Sequence, residues 1–287
     1  MIGGPGGREL EVEVTGPDDG RAVVYHSGTP GAGTLFAPLV DAGAAKGLRH
    51  IAYARPGYAR SDRHAGRTVA DCAADVTAIA DELGIDQFFT VGVSGGGPHA
   101  LACAALLGER VLAAASIGGV APHDARGLDW TAGMGQENVD EFAAADAGPE
   151  ELREYLERQR EQMLAASGED IHTSLESLLS DVDRSALSGA FAEYLVGDVQ
   201  RALAPGIWGW FDDDIAHFSD WGFDVDAITR PVAVWQGRLD LFVPFAHGQW
   251  LAANVPNAQP QLLDDQGHLS ISLARYGDVL DALIAAA

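Results

Sequence analysis

The segment Phe88–Leu106 limits the possible folds more than any other part of the sequence. It reads FFTVGVSGGGPHALACAAL. Its first six residues predict a buried strand, and the alanine- and leucine-rich part after Gly95 predicts a helix. Between them lies Ser94, a single polar residue among four glycines. Since glycine tolerates backbone conformations and close approaches that other residues avoid, the segment predicts a strand joined to a helix by a sharp turn that carries a serine.

The rest of the chain repeats this alternation of strands and helices. Strand-like apolar runs occur at residues 22–25, 50–54, 88–93, 111–117 and 231–235. Helical patterns separate most of them, which is typical of βαβ units and a mostly parallel sheet. Because the runs are continuously apolar, we expect helices to cover both faces of the central sheet. The sequence therefore predicts the α/β class.

The alternation stops near Pro122 and returns at Pro231. Helical patterns in between include residues 150–164, 175–179 and 187–195. We predict an α/β core in two parts, residues 1–121 and 216–287, interrupted by an all-helical cap insertion at residues 122–215. Neither internal repeats nor a low-complexity linker are apparent.

The composition restricts the partners of the protein. The chain has 287 residues, 47% of them hydrophobic, which suffices for a sizeable core. It carries 42 acidic and 18 basic residues, for a net charge of −24. Such a surface is a poor partner for nucleic acid or for an anionic membrane, since both bind basic side chains. No apolar run approaches the length of a membrane-spanning helix.

Two cysteines, Cys72 and Cys103, show neither metal-type spacing nor a disulfide framework and indicate a reducing compartment. Residues 1–8 are glycine-rich and lack the apolar segment of a signal peptide. We therefore expect a cytoplasmic protein. No HExxH or paired Cys-x-x-Cys motif occurs, so we expect no metal and no cofactor. The sequence leaves the oligomeric state open.

The serine turn itself indicates nucleophilic chemistry. A serine on a sharp strand-to-helix turn is a nucleophile elbow, which exposes the hydroxyl above the sheet. The helix that follows directs free N–H groups toward the same point, so we predict the backbone N–H of Gly95 as an oxyanion donor. A second donor should come from a loop after an early strand. We predict the N–H of Thr29, because Pro30 beside it has none.

A serine hydroxyl needs a base, and the base needs an acid to orient it. His268 follows a strand-like run and a glycine, in a loop before a C-terminal helix. Asp240 lies just past an apolar strand, where open α/β sheets place their sites. The chain order Ser94, Asp240, His268 suits a triad on this scaffold, so we predict these three as catalytic. Asp264 and Asp265 are rival acids, but they share a loop with His268.

Taken together, these segments resemble the α/β-hydrolase fold family. The matching segments are His26–Gly31, Arg55–Ser61, Ser94–Pro98, Gly237–Asp240 and Gly267–His268. In that order they are similar to the family's oxyanion turn, the loop after its next strand, its nucleophile elbow, and its acid and base loops. The resemblance covers most of the chain outside the insertion. It implies the same triad and a helical cap that lies over the active site. Serine at position 94 argues against epoxide hydrolases and haloalkane dehalogenases, which start from a carboxylate.

The expected function is hydrolysis of a small or medium carboxylic ester through an acyl-enzyme, with a small molecule as substrate. Phe242 and Leu269 neighbour the predicted acid and base, so they should contact the substrate. Trp130, Trp208 and Trp210 of the predicted cap are further candidates for the pocket lining.

Other functions of the same residues stay open at this point. The triad could serve a C–C bond hydrolase, a lactonase or an aminopeptidase. An aminopeptidase would need buried acids in the cap, and the acidic run Asp212–Asp214 reads as a solvated helix start. A cofactor-free lyase or oxygenase, or a ligand receptor, would be a different class on the same fold.

Overall fold

The computed structural model describes residues 1–168 and 171–287. Strands β1 (Ile2–Gly3) and β2 (Glu9–Leu10) form a small antiparallel pair. The central sheet consists of β3 (Val12–Thr15), β4 (Arg21–His26), β5 (Leu48–Tyr53), β6 (Phe88–Val93), β7 (Val111–Ile117), β8 (Val232–Gly237) and β9 (Ala258–Leu263). Its order is β3-β5-β4-β6-β7-β8-β9, and each pairing is parallel except that of β3 with β5. The predicted mostly parallel sheet is confirmed.

Helices cover both faces of this sheet. They are α1 (Ala37–Ala44), α2 (Cys72–Glu82), α3 (Gly97–Leu106), α10 (Phe245–Asn254), α11 (His268–Ala274) and α12 (Tyr276–Ala285). On one face the strands pack against α2, α3 and α10, and on the other against α1 and α12. Neighbouring residues of β4 show why the strands are continuously apolar, because Val24 belongs to the first layer and Val23 to the second.

Between β7 and β8, the described residues form six α-helices, which we call the inserted helices. They are α4 (Gln136–Ala147), α5 (Pro149–Ala165), α6 (Ile171–Ser174), α7 (Asp181–Ala186), α8 (Gly189–Leu203) and α9 (Trp208–Phe218). The stretch 150–164 was predicted well. The helix predicted at 175–179 is wrong, since these residues form turns after the short α6. Ile171, Leu179 and Leu187 are buried in a small apolar cluster that holds these turns without a regular helix.

The sheet gathers the predicted site at one edge. The carboxyl ends of β4 and β6 lead into the turns that carry Thr29 and Ser94, and those of β8 and β9 lead to Asp240 and His268. Because parallel strands end at the same edge, four loops that are distant in sequence meet there. Among the described residues, no helix is both long and apolar enough to cross a membrane.

Candidate active site

Ser94 sits on a strained turn between β6 and α3. Its φ angle is 53°, in the left-handed region that residues other than glycine seldom adopt. The neighbouring glycines make the turn possible. A Cβ on Gly92 would overlap the carbonyl of Gly96, and one on Gly96 would overlap the carbonyls of His26 and Ser27. The turn leaves Ser94 on the wall of a cavity.

His268 and Asp240 form a buried pair beside this cavity. The Nδ1 atom of His268 lies 2.8 Å from Oδ2 of Asp240. Three further hydrogen bonds fix the carboxylate, because its Oδ1 accepts from the N–H groups of Phe242 (2.9 Å) and Val243 (2.8 Å), and its Oδ2 accepts from the amide of Gln236 (2.9 Å). This arrangement leaves Nε2 as the free nitrogen of His268.

The rival acids in the loop of His268 are accounted for elsewhere. Asp264 pairs with Arg238 at 2.5 Å on the surface, and Asp265 is exposed to solvent. Of the three candidate acids, therefore, Asp240 is the one hydrogen-bonded to His268. Burial lowers the pKa of His268, but the charge and hydrogen bond of Asp240 outweigh burial, so that the pKa lies above its ordinary value of 6.5.

The cavity has a volume of about 240 Å³ and a mostly apolar wall. Thr29, Ser94, Gly95 and His268 all line it. Gly28 packs so closely against Ser94 that a Cβ there would lie 3.5 Å from the Cβ of Ser94. The predicted elbow and oxyanion turn are thus side by side, and the predicted base lines the same cavity.

Three of the five predicted substrate-binding residues line the cavity, namely Trp210, Phe242 and Leu269. The ring of Phe242 stacks on the imidazole of His268, with 4.6 Å between their centroids. Side chains that pack on the base in this way restrict its rotation.

The other two predicted substrate-binding residues, Trp130 and Trp208, lie away from the cavity. Trp130 is buried among the rings of Phe142, Phe218 and His247, and its Nε1 donates to a backbone carbonyl. Trp208 is 39% exposed and stacks under the guanidinium of Arg63. Both are therefore corrected to packing residues.

The turn that carries Thr29 is held by a buried arginine. Arg55 donates to the carbonyls of Ser27 at 2.5 Å and Gly28 at 3.0 Å. It also pairs with Asp213 of α9 at 2.5 Å, and the hydroxyl of Thr29 donates to the same carboxylate at 2.9 Å. A Cβ on Gly95 would overlap the hydroxyl of Thr29, so this turn and the elbow are in direct contact.

Asp212–Asp214 do not form a solvated helix start, contrary to the sequence expectation. They lie in the middle of α9 and are at most 3% exposed. Asp212 pairs with Arg63, and Asp213 lies 2.7 Å from Arg67 in addition to its contact with Arg55. Arginines from the loops of the sheet therefore neutralise Asp212 and Asp213, which allows these two acids to be buried.

Two histidines fix the backbone of Gly95. Its carbonyl oxygen accepts hydrogen bonds from Nδ1 of His99 at 2.9 Å and Nε2 of His217 at 3.0 Å. Burial lowers the pKa of His217 to about 4 and that of His99 well below its usual range. Both rings are therefore neutral near pH 7, and the proton of each stays on the nitrogen that faces Gly95.

Comparison with known proteins identifies the family of this fold. Residues 21–274 match the family model described as the alpha/beta hydrolase fold. The chain belongs to the α/β-hydrolase fold family.

Relatives of this α/β hydrolase have several activities in their names. A Variovorax paradoxus protein named as a carbamate hydrolase is 29% identical, over 90% of this chain and 89% of its own length. A 2-hydroxy-6-oxononadienedioate/2-hydroxy-6-oxononatrienedioate hydrolase of Burkholderia vietnamiensis is 30% identical, over 91% and 86%. A thermophilic esterase of Thermogutta terrifontis superposes with a TM-score of 0.67 at 19% identity, covering 99% of this chain and 97% of that one.

Asp183, a residue that supports the predicted base His268, was not identified in the sequence analysis. Asp183 of α7 is fully buried and accepts hydrogen bonds from the N–H groups of His268 (2.9 Å), Leu269 (2.8 Å) and Ser270 (2.9 Å). These are the first residues of α11, so Asp183 caps that helix from a distant part of the chain. Gly267 makes room for the carboxylate, since a Cβ there would overlap it. A glycine before the histidine was the only local signal.

Proposed function

We propose that the protein is a serine hydrolase that cleaves a small or medium carboxylic ester through an acyl-enzyme. One observation carries the proposal. The strained Ser94 lines the same cavity as His268, whose other ring nitrogen is hydrogen-bonded to the buried Asp240. In this proposal Ser94 is the nucleophile, His268 the general base and acid, and Asp240 the group that orients it.

The reaction has two halves. The Oγ atom of Ser94 attacks the ester carbonyl carbon, and its proton passes to Nε2 of His268. The N–H groups of Gly95 and Thr29 stabilise the oxyanion. His268 then gives the proton to the leaving alcohol oxygen as the C–O bond breaks. Water attacks the acyl-enzyme in the same way, with its proton passing to His268, and the acid leaves as Ser94 regains a proton.

The cavity wall supports a medium-sized, mostly apolar acyl group. The inserted helices and the turns after α6 supply much of it, including Phe142, Leu178, Phe191 and Leu195. We propose that residues 122–215 act as the cap of the enzyme, because they enclose the space above Ser94. A substrate whose body is mostly apolar fits such a wall best.

Cleavage of a C–C bond is the main competing proposal, since the Burkholderia vietnamiensis relative is named for a dioate substrate. The charges of the cavity oppose it. Of the described residues that line the cavity, none is lysine or arginine, whereas four are acidic: Glu137, Glu141, Asp198 and Asp214. A substrate with two carboxylates would have to lose its hydration beside these groups without a countercharge. The wall therefore favours neutral or cationic substrates.

The test combines active-site labelling with turnover. Wild type, Ser94→Ala and the control Ser185→Ala, which changes an exposed serine of α7, are incubated with a fluorophosphonate and weighed by intact mass spectrometry. The same proteins are assayed on p-nitrophenyl esters of increasing acyl length. Wild type and control should gain one adduct and turn over, while Ser94→Ala should gain none and lose about 10⁴-fold or more in kcat.

Two outcomes would contradict the proposal. An adduct that persists in Ser94→Ala would place the reactive serine elsewhere. A wild type that binds ester analogues but neither reacts with the fluorophosphonate nor turns over would favour a lyase or a ligand receptor.

A further inference from the structure

Part of the cavity wall is a pair of carboxyl groups that the proposed hydrolysis does not use. Glu141 of α4 and Asp214 of α9 both line the cavity. The two carboxyl groups interact directly, and Oε1 of Glu141 also accepts a hydrogen bond from the indole N–H of Trp210 at 2.8 Å. Two carboxyl groups in contact must share a proton or bind a cation.

Asp214 carries a buried acceptor with no donor. It is 1% exposed, and among the described residues its Oδ2 has no hydrogen-bond partner. A buried oxygen without a donor costs free energy, and in a native protein such an atom indicates a missing ligand or water. Since Asp214 lines the substrate cavity, a group on the substrate can supply the donor.

The positive charge that acts on Asp214 belongs to Arg67, which is already paired with Asp213. Asp213, the preceding residue, is neutralised by Arg55 and Arg67, which lie 2.5 and 2.7 Å from its oxygens. Those guanidiniums are therefore engaged. The phenol of Tyr155, which also lines the cavity, donates to the backbone carbonyl of Glu137 at 3.0 Å.

We propose that Glu141 and Asp214 form a subsite for a primary ammonium group carried by the substrate. This inference rests on the proposed function, and it narrows the substrate to an ester with an alkylammonium group on its acyl or alcohol part. The ammonium would donate to Oδ2 of Asp214 and to Glu141, and the proton shared by the pair would leave to solvent. Charge-assisted hydrogen bonds in a mostly apolar cavity are the strongest contacts available to such a ligand.

The protonation of the Glu141–Asp214 pair predicts how amine binding should depend on pH. Burial raises the pKa of Glu141 to about 7 and that of Asp214 well above its usual range. Asp213 raises the pKa of Asp214 further and Arg67 opposes it. Because the pair must lose its proton to hold a cation, affinity for an amine should increase as the pH rises from 6 to 8. Affinity for an alcohol of the same shape should not change.

The experiment measures binding without turnover. The Ser94→Ala protein is titrated calorimetrically with n-hexylamine, which is protonated at pH 8, and with 1-hexanol, which has the same length without the charge. The amine should bind about tenfold more tightly than the alcohol. Since no catalysis is involved, this result is independent of whether Ser94 is a nucleophile. Failure of the serine assay and failure of the subsite can therefore be told apart.

Two variants test whether the preference for the amine comes from the Glu141–Asp214 pair. Glu141→Gln keeps an acceptor for Trp210, and Asp214→Asn keeps a hydrogen bond to Glu141, so each removes one charge with little change of shape. Each should abolish the amine preference while leaving hexanol affinity unchanged. Asp140→Asn is the matched control, since it makes the same change at an exposed neighbour of Glu141 and should keep the preference.

Equal affinity of the Ser94→Ala protein for the amine and the alcohol at pH 8 would overturn the proposal. So would a preference that survives in both Glu141→Gln and Asp214→Asn, because the pair would then only tie α4 to α9. If neither variant folds, amine affinity in the Ser94→Ala protein that does not rise between pH 6 and 8 would overturn it equally.

Discussion

The inserted helices contact the proposed reaction centre through two aspartates with opposite environments. Asp213 of α9 supports the turn of Thr29 and is surrounded by charge, since it contacts both Arg55 and Arg67. Asp183 of α7 supports the helix of His268, and its hydrogen bonds within the described residues come from backbone N–H groups and the hydroxyl of Ser180. Both are fully buried.

The two aspartates illustrate two ways of stabilising a buried carboxylate. Asp213 balances the charges of Arg55 and Arg67, so its removal would leave two buried cations without a countercharge. Asp183 is compensated by the partial positive charge of a helix N-terminus, so it keeps a net negative charge close to His268. The first contact should therefore matter most for stability, and the second for the ionisation of the base.

The largest effect is expected for Asp213→Asn. Arg55 and Arg67 would remain buried without their carboxylate, which should lower the free energy of unfolding by about 3–5 kcal/mol. Urea denaturation measures this loss. The matched control is Asp212→Asn, whose partner Arg63 has a side chain that is 33% exposed and can be solvated. A loss in Asp213→Asn no greater than in Asp212→Asn would show that the two clusters do not differ.

Asp183→Asn should have a smaller effect on stability, about 1–2 kcal/mol, as for the loss of a helix cap. Its main effect should be on pH dependence. His268 must be neutral to accept a proton, so kcat/KM rises with pH through the pKa of His268. Asp183 contributes to raising that pKa, and removing its charge should move the ascending limb to lower pH.

The control for this prediction is Ser180→Ala. It removes a hydrogen bond to Asp183 at 2.8 Å but leaves the charge in place, so the ascending limb should stay where it is in the wild type. A limb that shifts equally in both variants, or in neither, would mean that Asp183 acts on His268 through packing alone.

The smallest effect is expected for Thr29→Val. It removes the hydroxyl that donates to Asp213 and accepts from Arg55 at 2.9 Å, but keeps the backbone N–H and nearly the same shape. Since Arg55 and Asp213 keep their contact with each other, the net loss should be about 1 kcal/mol, and kcat on a p-nitrophenyl ester should fall about fivefold with little change in KM. Thr29→Ser should restore most of the loss, and an unchanged kcat in Thr29→Val would show that the oxyanion turn does not need this contact.

The sequence was most informative where a site residue follows directly from a strand. Ser94 and Asp240 come just after apolar strands, and His268 follows a strand through a short loop. The ends of parallel strands meet at one edge, so these three could be predicted to lie together without any knowledge of the inserted helices.

The contacts made by the inserted helices could not be predicted in this way. Asp183 is 85 residues from His268, and Asp213 is 158 residues from Arg55. No periodicity in one sequence links positions so far apart, and an acidic run usually marks an exposed surface. The predictions for Trp130 and Trp208 were wrong for a related reason, because the direction in which each side chain points depends on how the helices pack.

The placement of Asp183 and Asp213 on separate inserted helices has a consequence for how substrate enters. Lifting α7 from the sheet would break the contacts of Asp183 with the start of α11, and lifting α9 would break those of Asp213 with Arg55 and Thr29. Admission of a substrate by either movement would therefore dismantle one side of the proposed reaction centre. The reaction could then proceed only after the displaced helix had returned, and the protein would be inactive while it was open.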